Sequence, residues 1–387
     1  MKKTLAIILA LTMVLCLALT SCNNKDNTTD KKNETENSDT DGIAAYNEYL
    51  EGILEEFKEK TELDKEVLAT VKGLPVSAAN ARYTYLVVDA PNAGTLSDEE
   101  VKKEIERFYC ENATLIDYAY RNDIKFTDKD ITTIKANISA MELQLGENYD
   151  KAFEESPFTE FFYYFQTSVL QALYSRICED TIANRDAEIT KNAFEKAKSE
   201  MVRAKHILIQ FPEGEGENGE VTDAQKADTL AKAEAVLAEV NAMGDISEFD
   251  ALIEKYNEDP GMESNPDGYY FGKGEMVPEF EESAYSLEEG KTSGLVETSY
   301  GYHILLKLPL EDDEAIYGSN AFFSIVNSAL YEEITKDLDS FTVEYAENHD
   351  ARIADFEAEY QAKLAEAEEE MASEADLETE DTAEVAE

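Results

Sequence analysis

The chain has 387 residues, and its 85 Asp and Glu against 34 Lys and Arg give a formal net charge of −51. This excess excludes a nucleic-acid-binding protein, because a surface that repels phosphate cannot gain free energy from counterion release. The hydrophobic fraction of 43% is too high for a disordered acidic chain, so we expect packed cores. The length favours two or three domains.

The first residues have the pattern of an export signal. Two lysines precede an uncharged run that ends in small residues and Cys22. Small residues before a Cys at this place resemble the lipobox of bacterial lipoproteins, in which the Cys is lipidated and becomes the mature N-terminus. We therefore expect a lipoprotein signal peptide over 1–21 and an acylated (palmitate-bearing) Cys22, whose two or more chains suffice for stable membrane anchoring. A plain secretory signal and a short membrane anchor are the alternatives.

A flexible tether and a helical region are predicted next. Residues 22–41 are almost all polar and predict the tether, and residues 42–198 predict a helical N-terminal region. That region opens with an amphipathic helix from Asp41 to Lys60. A short strand pair follows, with a turn at Lys72-Gly73, and Ser77 is placed to cap the next helix. Breaks are expected near 91–97, 122–127 and 155–157.

The pattern changes over 199–309, where short β-like runs alternate with helical patterns and Gly/Pro turns. This alternation of strand and helix patterns predicts an α+β domain inserted into a helical protein. A helix from about 319 to 346 is expected to pack on the N-terminal region, as part of a C-terminal segment over 310–350. Residues 351–387 predict a frayed helix that passes into an acidic tail.

Two of the three histidines of the chain lie on the first and last predicted strands of the inserted domain. His206 and His303 each stand among apolar residues. A lone strand histidine is more often a satisfied core residue, but the matching positions favour a shared role. The run Tyr256 to Gly261, with Asp259, and the run Gly274-Glu275-Met276-Val277-Pro278-Glu279-Phe280 lie between the two histidines.

This order of segments, from about Val202 to Leu308, resembles the parvulin family of peptidyl-prolyl cis-trans isomerases. The resemblance implies a four-stranded antiparallel sheet with surrounding helices. It also implies a hydrogen-bonded pair formed by His206 and His303, and it places Asp259 against the substrate carbonyl. Thr298 would link the histidines to the site. Met276 and Phe280 would line the pocket for the proline ring, and Tyr300 would close it. For Met276 and Phe280, ordinary core packing is the alternative.

Two departures from the parvulin pattern affect specificity and rate. The pocket Leu of the family falls on or beside Gly268, which alters one wall of the pocket. The loop from Phe211 to Glu220 is acidic where phosphate-specific parvulins are basic, so specificity for phosphorylated Ser/Thr-Pro is not expected. Amide rotation needs no covalent step, so we expect no metal and no cofactor.

The architecture around the inserted domain resembles PrsA-type foldase lipoproteins and, in part, the periplasmic chaperone SurA. The resemblance implies an all-α chaperone module that holds unfolded exported polypeptides with X-Pro bonds, on the extracytoplasmic face of a bacterial membrane. Aromatic residues around Tyr83, Phe108 and Phe161 to Phe165 could form an apolar cradle for such chains. A non-catalytic holdase is the first alternative. A solute-binding lipoprotein is the second, although the expected pair of α/β lobes is missing.

Two properties stay open at this point. The oligomeric state cannot be read from the pattern, nor can a disulfide between Cys110 and Cys178. His349 has no partner motif and is interpreted as a surface residue.

Overall fold

The structure is a computed structural model that describes residues 39–86, 97–154, 156, 158–215, 220–362 and 365. The predicted signal peptide, Cys22, most of the tether and most of the acidic tail lie outside the described residues. The chain divides into two compact units. The first comprises the chain up to Ile177 together with the chain from Tyr331, and the second is Cys178–Leu330.

The first unit consists of helices with one small sheet. Up to residue 183 its elements are α1 (Thr40–Glu55), α2 (Glu62–Lys65), β1 (Val67–Val71), β2 (Leu74–Ser77), α3 (Ala78–Thr84), α4 (Asp98–Arg121), α5 (Asp128–Leu145), α6 (Tyr149–Glu154), α7 (Glu160–Tyr164), a π-helical turn (Phe165–Leu170) and α8 (Gln171–Ala183). Helix α8 continues into the second unit.

Local capping explains where these helices begin. Ser97 and Thr127 form full capping boxes with Glu100 and Asp130, as their spacing predicts. Ser77 accepts from the backbone N–H of Asn80, which confirms its predicted cap. The first helix ends at Glu55, earlier than expected.

Beyond the end of α1 the chain turns to bury Lys58. Its ammonium donates to Glu142 at 2.7 Å and to the Tyr149 hydroxyl at 2.9 Å, and it also pairs with Glu160. The tertiary ion pairs therefore replace the last helical turn that the periodicity predicts.

The small sheet is antiparallel and has the order β2-β1-β7, in which β7 comes from the C-terminal part of the unit, at Val343–Tyr345. Lys72 and Gly73 both have positive φ, 51° and 81°, which the tight turn between β1 and β2 requires. The strand β7 (Val343–Tyr345) pairs with β1 in a stretch where a helix is expected. The predicted helix ends at Thr335, and the later run from Phe341 to Tyr345 contains aromatic and β-branched residues that favour a strand. Residues 349–362 are helical.

The second unit contains the antiparallel sheet β4-β3-β6-β5 and confirms the α+β class. Its elements are α9 (Glu188–Glu200), β3 (Val202–Gln210), α10 (Asp223–Asn241), α11 (Phe249–Tyr256), α12 (Gly261–Ser264), β4 (Tyr269–Phe271), α13 (Pro278–Ser286), β5 (Val296–Glu297), β6 (Gly301–Leu308), α14 (Glu314–Tyr317) and α15 (Asn320–Thr335), the last of which runs past Leu330.

The two faces of this sheet bury different side chains, because successive residues of a strand point to opposite sides. On one face Ile207, Ile209 and Ile304 pack in a cluster with Val236 and Phe249 from α10 and α11. On the other face Val202, Ala204 and Leu305 pack in a cluster with Phe271 and α13. The first face carries the larger apolar cluster, and the second also carries the two histidines.

Both remaining cysteines are buried and unbonded. Burial raises the pKa of the Cys110 thiol to about 11 and that of Cys178 to about 12. His349 is more covered than predicted, because its ring lies 4.4 Å from the ring of Tyr345 and its Nδ1 contacts Asp350 at 3.0 Å. Within the described part of the chain, no helix has the length and apolar character needed to span a membrane.

Candidate active site

The two histidines meet on one face of the sheet. His206 on β3 pairs with Leu305, and His303 on β6 pairs with Leu208, so the histidines are diagonal neighbours in the antiparallel ladder. Their ring centroids are 5.1 Å apart, and the residues are 6% and 4% exposed. The register therefore brings together the two residues that the sequence singles out.

Asp259 lies beside His206 and accepts three hydrogen bonds. Its Oδ2 is 2.8 Å from His206 Nε2 and accepts from the Tyr269 hydroxyl at 2.9 Å, while its Oδ1 accepts from the Gly261 N–H at 3.0 Å. The contact with His206 is the largest cause that holds the pKa of Asp259 well below its usual range, and the other two donors act in the same direction against the cost of burial. An ionised Asp259 accepts from His206, so Nε2 of that ring carries a proton.

Asp259 is placed by an extension of the sheet. The strand β4 pairs with β3 only at Val202–Ala204, and further along β3 the backbone of Leu208 bonds to the segment after α11 instead. The Leu208 N–H donates to Asn257 Oδ1 at 2.9 Å, and the Leu208 carbonyl accepts from the Glu258 N–H at 2.9 Å. The Asn257 amide also donates to the Asp259 carbonyl at 2.7 Å. Asp259 is thus fixed directly to the strand that carries His206.

His303 lies deeper and contacts Thr298. Its Nε2 is 2.9 Å from the Thr298 hydroxyl, which also accepts from the Tyr300 N–H at 3.1 Å. Burial lowers the pKa of His303 to about 4, helped by the neighbouring His206, so the ring is neutral at pH 7.

The expected hydrogen bond between the two histidines is absent. Among the described residues neither Nδ1 atom has a hydrogen-bond partner, although both atoms are buried. Each ring instead uses its Nε2 for another contact, His206 with Asp259 and His303 with Thr298. The two histidines lie side by side, as the resemblance implies, but the predicted hydrogen bond between them is wrong.

The residues expected to hold a proline ring differ in their positions. Phe280 is 3% exposed and meets both imidazoles edge-on, with centroids 5.1 Å from His206 and 5.4 Å from His303. Met276 is partly buried in the same apolar cluster. Tyr300 is 56% exposed, so its side chain does not enclose a pocket in this structure, contrary to expectation. Phe280 and Met276 therefore supply an apolar wall next to the histidines.

The comparison with protein families gives an assignment for this unit. Residues 187–307 match the family model described as the PPIC-type PPIase domain. This segment has the sequence pattern of a peptidyl-prolyl isomerase domain, and we refer to it below as the isomerase domain. It contains every candidate site residue of the second unit, from His206 to His303.

Relatives with similar sequences are foldases. A foldase protein PrsA of Geobacillus kaustophilus is 40% identical over 118 residues, which are 29% of this chain and 42% of that protein. Foldase protein PrsA 4 of Bacillus cereus is 25% identical over 275 residues, covering 68% of this chain and 84% of that protein. A foldase protein PrsA of Halalkalibacterium halodurans is 38% identical over 112 residues, which are 27% of that protein. The chain thus spans less than half the length of the Geobacillus and Halalkalibacterium relatives.

A solved structure of PrsA from Bacillus subtilis aligns with 72% of this chain and 93% of its own, at 21% identity and a TM-score of 0.25. The isomerase domain is supported by the family match, and a structural similarity with this TM-score supports no conclusion about the rest of the chain.

Two residues of the isomerase domain were missed at the sequence level. Tyr269 bonds Asp259 and packs edge-on against His206 with centroids 5.8 Å apart. Asn257 holds the Asp259 backbone. The signal for Tyr269 is present in the run Gly268-Tyr269-Tyr270-Phe271, where Gly268 has φ 96° and a Cβ would come within 3.1 Å of the Ala204 carbonyl oxygen. A glycine is thus required before Tyr269.

The chemical capacity of this cluster follows from its charges. It presents the Asp259 carboxylate, the His206 imidazole that donates to it, the neutral buried imidazole of His303 and the apolar wall of Phe280 and Met276. In the loop expected to exclude phosphate, Glu213 and Glu215 are exposed, and residues 216–219 lie outside the described residues. The isomerase domain therefore offers an uncharged amide both an apolar contact and a fixed negative charge.

Proposed function

We propose that this chain is an extracytoplasmic foldase that isomerises X-Pro bonds in exported polypeptides. One observation carries the proposal: an ionised Asp259, held by His206 and Tyr269, lies next to the apolar wall of Phe280 and Met276 in a PPIC-type isomerase domain. In this proposal Asp259, His206, Thr298 and His303 form the catalytic cluster. Met276 and Phe280 bind the proline ring, and Tyr300 contacts the substrate from its exposed position.

The mechanism requires stabilisation of the twisted amide over the planar one. Rotation of a peptide bond has a barrier of roughly 18–20 kcal/mol because resonance keeps the amide planar. In the planar form the carbonyl oxygen carries more negative charge than in the twisted form. A fixed carboxylate near that oxygen therefore raises the free energy of the planar ground state more than that of the transition state. An apolar wall acts in the same direction, since the twisted amide has the smaller dipole.

The membrane anchor and the remaining segments complete the proposal. The lipobox pattern supports cleavage after residue 21 and acylation of Cys22, followed by a tether over 22–41. The sequence pattern bounds the isomerase domain at 199–309. Residues 42–198 and 310–350, which flank it in the sequence, act as the chaperone module, and 351–387 is the acidic tail. The relatives are named foldase proteins, which supports polypeptides as clients, and the export-signal pattern supports exported polypeptides. A Cys22→Ser variant is expected to lose incorporation of a labelled fatty acid and to be released from membranes.

The catalytic part is tested with the full chain and a short peptide that contains one X-Pro bond. Cis-trans exchange is measured by NMR with catalytic amounts of protein. Asp259→Ala is expected to lower the catalysed rate, and His206→Ala is expected to lower it as well. Asp250→Ala is the matched control, because Asp250 also pairs with a side chain of β3, Lys205 at 2.7 Å, but lies outside the cluster.

Two outcomes would contradict the proposal in different ways. If the folded wild-type chain does not accelerate exchange, the catalytic function is refuted. If it also suppresses aggregation of a proline-free client, and Asp259→Ala leaves that suppression unchanged, the chain is a holdase with a non-catalytic isomerase fold. Circular dichroism of each variant establishes that the unit is folded.

A further inference from the structure

Arg203 is a buried charged residue on β3, the strand that also carries His206. Its side chain is only 7% exposed. An arginine is rarely buried to this extent unless nearby acceptors compensate its charge. Successive strand residues point to opposite faces, so Arg203 and His206 project from opposite sides of the sheet. The contacts of Arg203 therefore have to explain its burial.

The guanidinium of Arg203 bonds to two segments that are distant from β3 in the sequence. Its Nε donates to the Asp267 carbonyl at 2.7 Å. Its Nη1 pairs with Glu311 at 3.0 Å and lies 3.4 Å from the Pro309 carbonyl oxygen. The guanidinium carbon is 5.2 Å from the ring centroid of Tyr270. One arginine serves these partners together because its donors point in fixed directions.

The chain from Gly261 to Tyr269 forms a loop whose two ends hold the Asp259 carboxylate. The Gly261 N–H donates to Oδ1 at 3.0 Å, and the Tyr269 hydroxyl donates to Oδ2 at 2.9 Å. Inside the loop, the Asn265 N–H and its side-chain amide both donate to the Gly261 carbonyl, at 3.1 and 2.9 Å. The Gly268 N–H donates to the Asn265 carbonyl at 2.9 Å. The loop is thus internally bonded, and a displacement of its last residues moves the Tyr269 donor.

Arg203 attaches the end of this loop to the sheet. Its bond to the Asp267 carbonyl lies just before Tyr269 in the sequence. Gly268 has φ 96° and lies so close to β3 that a Cβ there would come within 3.1 Å of a backbone oxygen of that strand. These two contacts fix the direction from which Tyr269 reaches Asp259.

We propose that Arg203 is a positioning residue of the isomerase site. Its Nε holds the Asp267 carbonyl, which keeps the Tyr269 hydroxyl on the Asp259 carboxylate. The pairing with Glu311 compensates the buried charge and orients the guanidinium. This role rests on the proposed function and deepens it, because it assigns the support of Asp259 to a residue on the opposite face of the sheet. Arg203 acts through Tyr269 and not on the substrate.

The test compares two neutral replacements of equal length in the full chain. In Arg203→Gln an amide nitrogen takes the place of Nε, so a donor to the Asp267 carbonyl is kept. In Arg203→Met a methyl group takes that place, and the donor is lost. If Arg203→Met does not fold, Arg203→Lys replaces it, since a methylene group then occupies the position of Nε.

Arg203→Met is expected to lower kcat/KM in the peptide exchange assay by up to about tenfold, the equivalent of one lost hydrogen bond to a charged acceptor. Arg203→Gln should keep most of the wild-type value. Because the effect passes through one bond, Arg203→Met combined with Tyr269→Phe should lose less than the product of the two single losses. Arg185→Met is the matched control and should keep the wild-type kcat/KM. Arg185 also lies over a tyrosine ring, that of Tyr317, and pairs with a glutamate, Glu314 at 2.8 Å.

The ring nitrogens of His206 give a readout that does not depend on catalysis. The chain has three histidines, and isotope labelling of their nitrogens, with His206→Asn for comparison, identifies the NMR signals of this ring. The Nε2 signal reports the hydrogen bond to Asp259. It should shift in Arg203→Met and in Tyr269→Phe, and it should stay at the wild-type position in Arg203→Gln and Arg185→Met.

The outcomes distinguish this role from the proposed reaction. If the folded wild-type chain does not accelerate exchange, the proposed reaction is refuted, and a His206 signal that shifts only in Arg203→Met and Tyr269→Phe still supports the positioning role. That role is overturned if Arg203→Gln and Arg203→Met lose equal activity and shift the signal equally, or if Arg203→Met leaves both unchanged. It is also overturned if the losses of Arg203→Met and Tyr269→Phe multiply in full, which would limit Arg203 to the general stability of the unit.

Discussion

Replacement of Tyr269 by Phe tests whether the hydroxyl on Asp259 contributes to the isomerase site. The change removes one oxygen and keeps the ring that packs edge-on against His206. Asp259 then retains the contact with His206 and the N–H of Gly261 and loses the third donor. A Cβ at Gly261 would overlap the Tyr269 hydroxyl, so the space that the hydroxyl occupies is tightly bounded.

The expected magnitude follows from the geometry. A hydrogen bond to a charged acceptor contributes about 1.5–3 kcal/mol, and we take the lower end because the Asp259 side chain is 22% exposed. A loss of about 1.4 kcal/mol corresponds to a rise of about one unit in the pKa of Asp259. Because that pKa starts well below its usual range, Asp259 stays ionised at pH 7. The lost hydrogen bond therefore changes the position of the Asp259 carboxylate and not its charge. We expect kcat/KM to fall by up to about tenfold.

Tyr270→Phe is the matched control. The Tyr270 hydroxyl donates to Asp313 Oδ2 at 2.8 Å, so the variant loses the same kind of bond in the same unit without touching the site. Both variants should lose similar amounts of unfolding free energy in urea titrations, and only Tyr269→Phe should lower kcat/KM in the peptide exchange assay. Equal kinetic losses in the two variants, or no loss in Tyr269→Phe, would refute the positioning role of Tyr269.

Two further predictions concern stability. The pKa of His303 is about 4 in the folded chain, below its ordinary value of 6.5. The unfolded state therefore binds the proton first, and stability is expected to fall by up to roughly 3 kcal/mol as the pH drops from 6.5 to 4. Urea titrations across this range should show a flatter pH profile for His303→Asn, and an unchanged slope would contradict the assignment. Gly301→Ala should destabilise the second unit strongly, because Gly301 has φ 150° and a Cβ there would overlap the Ile209 carbonyl oxygen. Gly294→Ala, with open space around it, should melt close to the wild type, and equal melting of the two variants would contradict the steric argument.

The fold was predictable where local signals and periodicity agree. The turn at Lys72-Gly73 and the cap at Ser77 need only neighbouring residues, and both were predicted. The strands of the isomerase domain were predictable because Gly and Pro residues separate the β-like runs, whereas their four-stranded antiparallel arrangement was implied by the family resemblance. The pairing of β7 with β1 was not, since a strand of three residues depends on a partner some 270 residues earlier in the chain. The early end of α1 depends on Glu142 and Glu160, which periodicity within α1 cannot report.

The candidate site was predictable to the extent that a family pattern fixes residue types. His206, Asp259, Thr298 and His303 are brought together as the pattern implies. Register and ring orientation decide which atoms bond, so the absence of a hydrogen bond between the histidines could not be deduced from the sequence. Tyr269 was missed because it follows Gly268 where this chain departs from the family pattern, and only the folded chain shows its hydroxyl on Asp259.

The net charge of −51 leads to a prediction about salt. A strongly negative surface steers and repels charged molecules over distances of about 8–10 Å at ordinary ionic strength, so it acts on the encounter with them. The apolar contacts at the isomerase site act only at short range, and salt does not screen them. Salt should therefore change the catalysed exchange rate of a charged X-Pro peptide and leave that of an uncharged X-Pro peptide constant. An equal salt dependence of the two rates would contradict this division between the surface charge and the site.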